Sequence, residues 1–168
     1  MKVDDYRALF TTEAEEILMN LENGVMGLEC GGDLSAKVEE LFRHAHNLKG
    51  MSGAMGYDTV VEASHGLENV LQRYRDDTGA GPREDADRLL AAIDLLKELV
   101  KSAVEETGDG RSGETLGRFF EELGPVIERI DGGGRERAAA PEKADEGDDA
   151  PGTPESGPGA PNESGDAK

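Results

Sequence analysis

Tryptophan is absent from this 168-residue chain, aromatic residues make up only 4% of it, and there is a single cysteine, Cys30. A core must therefore be built from Leu, Ile, Val, Met and Ala. A lone cysteine cannot close an internal disulfide, which fits a reducing compartment. Basic residues are also scarce, 18 against 37 acidic, for a formal charge of −19. Such a surface repels phosphate backbones, so a nucleic-acid partner is excluded. No stretch approaches the roughly 18 uncharged apolar residues of a membrane span. The opening residues, MKVDDYRALF, lack the apolar segment of a signal peptide. These absences together predict a soluble, cytoplasmic, acidic protein with no membrane partner.

What is present divides unevenly along the chain. Residues 131–168 contain no Val, Ile, Leu, Met, Phe, Tyr or Cys, and they hold 8 Gly, 5 Pro and 7 Ala. Such a segment cannot bury enough apolar surface to offset its ordering entropy, so a disordered acidic tail is expected there. Residues 1–130 are long enough for one domain with its own core.

Within that domain apolar residues recur at helical spacing and no period-2 strand pattern appears. Tyr6, Leu9, Phe10, Ile17, Leu18, Leu21, Val25 and Leu28 form the stripe of a first helix over about 4–29. Gly31 and Gly32 end it, and Asp33 stands where it caps the next. The second stripe runs Leu34, Val38, Leu41, Phe42, Ala45 and Leu48, and the third Val60, Ala63, Leu67, Val70, Leu71 and Tyr74. Pro82 suits the first turn of a fourth helix carrying Leu89, Ile93, Leu96 and Val100. A fifth contains Leu116, Phe119, Phe120 and Leu123, with Pro125 expected to break or kink it before Val126, Ile127 and Ile130. The predicted fold class is all-α: an antiparallel bundle of about five helices around a four-helix core.

One segment, LFRHAHNLKGMSGAMGY over 41–57, breaks local rules. Gly50 and Gly53 fall where the pattern is still helical, and each costs about 0.5–1 kcal/mol relative to Ala. Such a penalty usually marks the close approach of something else. His46 lies about 110° round the helix from the centre of the apolar stripe, hence exposed at the bundle's edge. Residues 46, 50 and 53 follow at spacings of four and three, so the surface beyond His46 is cleared of side chains. Lys49 flanks His46 and would stabilise negative oxygens on a group carried by the imidazole. Glu68 flanks the third stripe as His46 flanks the second. With those helices antiparallel, its carboxylate would accept the Nδ1 proton of His46 and leave Nε2 as a nucleophile.

AHNLKGMSGAMGY followed by VVEASHGLENVLQRYR resembles the histidine phosphotransfer (Hpt) family and, within it, the N-terminal phosphotransfer domains of CheA chemotaxis kinases. The likeness runs from about Asp5 to Leu123. The family's H-x-x-K-G-x-x-G motif is met at His46, Lys49, Gly50 and Gly53, and its downstream H-x-x-E pair at His65 and Glu68. The resemblance implies that His46 is the phosphoacceptor, that Lys49 assists transfer, and that Glu68 hydrogen-bonds His46 with His65 close by. It also implies two partners: the ATP-binding domain of a histidine kinase, and response-regulator receiver domains of the CheY or CheB kind. Nothing here resembles the kinase's own ATP-binding, dimerisation or receptor-coupling domains. The expected role is thus a phosphocarrier, not an enzyme, with no cofactor of its own and with ATP and Mg²⁺ belonging to its partners. The competing readings are a non-phosphorylated helical adaptor that docks through the glycine face, and the N-terminal fragment of a full CheA kinase.

Simpler roles fit the remaining candidates. His44 projects about 200° from His46 and is read as an ordinary polar residue, so the two cannot share a metal ion on one helix. A zinc site of His46, His65 and Glu68 lacks a fourth ligand. Met51 and Met55 read as core or docking surface, and Cys30 as an inert helix-end residue. The acidity suggests a halophilic source, and the lack of a second apolar stripe suggests a monomer.

Overall fold

The computed structural model describes residues 3–30, 32–76, 82–105 and 111–138. Gly31, residues 77–81 and 106–110, and the tail from 139 onward lie outside the described residues. Among the described residues five α-helices follow one another: α1 (Val3–Gly27), α2 (Leu34–Met55), α3 (Asp58–Asp76), α4 (Ala86–Val104) and α5 (Arg111–Ala138). A single 3₁₀ turn, Pro82–Asp85, leads into α4. Among the described residues there are no strands. α1 packs on α2 and α4, and α3 packs on α2 and α4, which closes a four-helix ring; α5 is seated against α3 and α4.

The local signals act as the sequence suggests. Asp33 caps α2, its carboxylate accepting the Ala36 N–H at 3.1 Å. Gly56 ends α2 with φ 75°, a left-handed conformation that a Cβ would oppose. The Tyr57 N–H then donates to the Ser52 carbonyl at 3.0 Å, and α3 begins at the next residue. So short a connection forces α2 and α3 to run back along each other. Glu39 pairs with Arg75 and His46 with Glu68, so partners advance along α2 as they retreat along α3. That register brings the site together.

The apolar stripes converge on one core, except that Tyr6, Leu9 and Phe120, expected within the stripes, stay exposed. Leu21, Leu28, Leu41, Leu48, Leu67, Leu71, Leu89, Ile93, Leu96, Leu99, Phe119 and Leu123 are essentially inaccessible to solvent. Each such side chain contributes about 1.5–3 kcal/mol by leaving water. Two glycines permit close helix contacts: a Cβ on Gly24 would lie 2.6 Å from Leu41, and one on Gly66 2.7 Å from the Phe120 ring.

Two expectations need correction. α5 is not broken at Pro125 but runs through it as one helix. Pro125 and Glu121 are exposed, so the carbonyl that loses its N–H partner faces water, while buried Leu123, Val126 and Ile130 hold both sides of the proline against the core. α5 also passes the boundary expected at 130 and continues to Ala138, with Asp131 ion-paired to Arg73 of α3.

Candidate functional site

His46 projects from the middle of α2 with 59% of its side chain exposed, as its angular position predicts. Its Nδ1 lies 3.1 Å from Oε1 of Glu68 on α3. Glu68 is only 13% exposed, and its other oxygen, occluded from solvent, faces the Lys49 ammonium at 2.5 Å. Burial by itself would raise the Glu68 carboxyl. The Lys49 ammonium and the His46 ring outweigh that effect and hold it below the ordinary carboxylate range. An ionised carboxylate only accepts hydrogen bonds, so Nδ1 carries a proton, and in the neutral form of the ring the lone pair then resides on Nε2. The result is an oriented imidazole at the surface.

Lys49 thus has a partner that sequence spacing did not show. It is spaced from His46 as expected, yet it closes on Glu68 from the same helix as the imidazole. One carboxylate holds both groups. Its immediate effect is to keep Glu68 ionised.

The cleared patch is real space. A Cβ built on Gly50 would meet no atom within 4 Å, and one on Gly53 only Val61 at 3.9 Å. Unlike Gly24 and Gly66, these glycines are not required by packing within the chain. A groove of about 580 Å³ between α1 and α2 passes beside His46, bordered by Glu13, Glu16, Asn20, Gly50 and Met51. Met51 and Met55 lie half-buried against the core.

The other histidines do not join the Glu68 cluster, although His44 borders the same groove as His46. His65 is exposed one turn before Glu68 and takes no part in the His46–Glu68–Lys49 cluster. His44 is less exposed than His46, its Nε2 3.9 Å from Glu40 one turn back. Among the described residues, no three His, Cys, Asp or Glu side chains gather as a metal site, and no helix is long and apolar enough to cross a membrane.

Sequence reasoning missed one neighbour. Phe42, assigned to the buried stripe, is instead half-buried beside His46, the two rings nearly parallel at 18° with centroids 6.2 Å apart. The signal was available, because positions four apart share a helix face.

A family model for the Hpt domain matches residues 5–103. The chain is 31% identical over 132 residues to the chemotaxis protein CheA of Halobacterium salinarum, covering 79% of this chain and 19% of that one. It is 32% identical over 145 residues to CheA of Bacillus subtilis, covering 86% and 20%. The chain therefore spans about a fifth of the length of these relatives. Among solved structures, the phosphorylated P1 domain of CheA3 in complex with CheY6 from R. sphaeroides superposes with a TM-score of 0.63 at 25% identity, covering 75% of this chain and 98% of that domain.

Proposed function

Since the chain belongs to the Hpt domain family, we propose that it is a phosphorelay module of the chemotaxis type, taking a phosphoryl group on Nε2 of His46 and passing it to a receiver aspartate. One observation carries this reading. The exposed histidine of the H-x-x-K-G-x-x-G motif has its Nδ1 held by an ionised carboxylate, beside a surface kept clear by glycines.

Loading follows from that geometry. The Nε2 lone pair attacks the donor's phosphorus, and an N–P bond forms as the P–O bond to the leaving group breaks. The leaving oxygen keeps the electron pair. The ring gains positive charge in this step, which Glu68 stabilises through the Nδ1 proton it already accepts. Discharge reverses the electron flow: an aspartate oxygen bonds to phosphorus, and the N–P pair returns to Nε2. The chain supplies the nucleophile, its orientation and access. The remaining catalysis falls to the partners, the ATP-binding domain of a histidine kinase for loading and a CheY- or CheB-like receiver for discharge, each bringing its own Mg²⁺. We assign no cofactor and no kinase activity to the chain itself, and place it in the cytoplasm as a monomer. His65 is left outside the reacting group. The acidic surface suits a salt-rich solvent; melting at low and at molar salt tests this, and a salt-independent midpoint removes it.

The test of the central reading is His46→Gln. Incubated with a CheA kinase domain and ATP, the wild type should acquire acid-labile, base-stable phosphate and the variant none, with helicity unchanged because the ring is exposed. Label on the variant would move the acceptor to His65 or His44. A wild type that binds receivers without ever taking phosphate would make the chain an adaptor.

A further inference from the structure

Glu68 restrains one atom of the His46 ring, and a single hydrogen bond leaves the plane of an imidazole free to swing about it. The structure contains a second restraint. Phe42 lies one turn before His46 on α2, and helical side chains lean toward the N-terminus, so the imidazole lies over the turn that carries Phe42. The two rings are nearly parallel, 18° apart in plane with centroids separated by 6.2 Å. Phe42 is itself held from α3: the Arg75 guanidinium carbon sits 4.6 Å from the centre of its ring. Arg75 is fastened in turn by Glu39, at 2.9 Å from its Nε, and by the side-chain Oε1 of Gln72, which accepts from Nη1 at 3.0 Å. Two helices therefore converge on the imidazole, Glu68 of α3 on its nitrogen and Phe42 of α2 beside its plane.

We propose that Phe42, clamped by Arg75, is a positioning residue for the phosphoacceptor: it sets the plane of the His46 ring so that the Nδ1–Glu68 hydrogen bond is kept while Nε2 faces outward. This rests on the reading of His46 as acceptor. Phe42 touches no reacting atom. It acts by narrowing the orientations the imidazole samples, so that a larger share of encounters meets an aligned lone pair. Phe42 also packs, half-buried, against the core, which together with the Arg75 cation from α3 fixes its ring beside the exposed imidazole.

The experiment compares wild type, Phe42→Leu, Phe42→Tyr and Arg75→Gln in the full chain. Leu keeps apolar bulk but has no plane; Tyr keeps the plane. The first readout is independent of phosphate: ring ¹⁵N chemical shifts of His46, which report how fully the proton resides on Nδ1. The second is the rate of labelling by phosphoramidate, in which Nε2 bonds to phosphorus and the P–N bond breaks to release ammonia. Phe42→Leu should shift the ring nitrogens toward a mixed-tautomer average and slow labelling about 2- to 10-fold, the range expected for losing one aromatic pair. Phe42→Tyr should restore both, and Arg75→Gln should move both in the direction of Leu by a smaller factor. Wild-type nitrogen shifts in Phe42→Leu overturn the proposal. So does an equal loss in Leu and Tyr that follows their unfolding midpoints, since that is the mark of a packing role. If the wild type takes no phosphate from any donor, the acceptor reading fails, and the nitrogen shifts still decide whether Phe42 orients the ring.

Discussion

Two carboxylates in this molecule each gather two partners, and they have opposite fates. Glu68 on α3 holds His46 and Lys49 of α2. Asp85, at the end of the 3₁₀ turn, holds the Tyr74 hydroxyl of α3 and the Arg129 guanidinium of α5, whose Nε lies 3.0 and 2.9 Å from its two oxygens. Asp85 is 5% exposed. Burial, and then the neighbouring Asp85 carboxylate, push the Tyr74 phenol far above its ordinary range, while hydrogen bonding to Asp85 keeps Arg129 charged at every accessible pH. Neither partner of Asp85 changes protonation near neutrality. That cluster is a latch joining α3, the 3₁₀ turn and α5. In the Glu68 cluster one partner is an imidazole, more than half exposed, with its second nitrogen left open. The bonding pattern is nearly the same; solvent access and the identity of one partner make one cluster a closed latch and leave the other with an exposed imidazole.

The comparison is broken most severely at the latch. Asp85→Ala removes the acceptor of a buried hydroxyl and the bidentate partner of Arg129, leaving that guanidinium its weaker pairing with Glu84 at 3.4 Å, and should lower unfolding free energy by about 2–4 kcal/mol, read by urea denaturation. The folded protein should still label on His46 at the wild-type rate; a lost acceptor activity at full helicity would mean that the two clusters are coupled. Glu68→Gln should act the other way round. It keeps shape but replaces a charge-assisted hydrogen bond with a neutral one, so loading of His46 should fall about 10-fold while the melting midpoint moves little. An unchanged rate would reduce Glu68 to an ion-pair partner of Lys49.

Gly50→Leu sharpens the difference between glycines that serve packing and those that serve access. With open space at its Cβ, the change should stabilise the helix by about 0.5–1 kcal/mol and yet slow transfer to every receiver, because the added side chain stands one turn from His46. Faster or equal transfer would remove the docking role of the patch. The smallest effect concerns acid. Because the Glu68 carboxyl is held below its ordinary value of 4.5, its stabilising contribution is complete above that pH and is lost as pH falls through the depressed value. The stability gap between wild type and Glu68→Gln, under about 1 kcal/mol, should therefore stay level from pH 7 to about 5 and close below it. A gap that widened in acid would reverse the assigned charge state.

The sequence by itself determined the helices and the place of His46. Apolar periodicity marked five stripes, Asp33 marked the start of α2, and the offset of His46 from its stripe placed it at the surface, all properties of single helices that the 3.6-residue turn converts directly into geometry. The glycines at 50 and 53 were legible as an anomaly for the same reason. Pro125 misled because one local rule spoke of a lost hydrogen bond and not of whether the orphaned carbonyl would face water. What only the tertiary structure decided were the relations between helices: that Lys49 closes on Glu68, that Arg75 reaches over Phe42, and that Asp85 receives Arg129 from 44 residues away. Those contacts depend on how far one helix slides and turns against the next. That register is set by the whole packed core and the two-residue connection after Met55, and no repeat along a single helix encodes it.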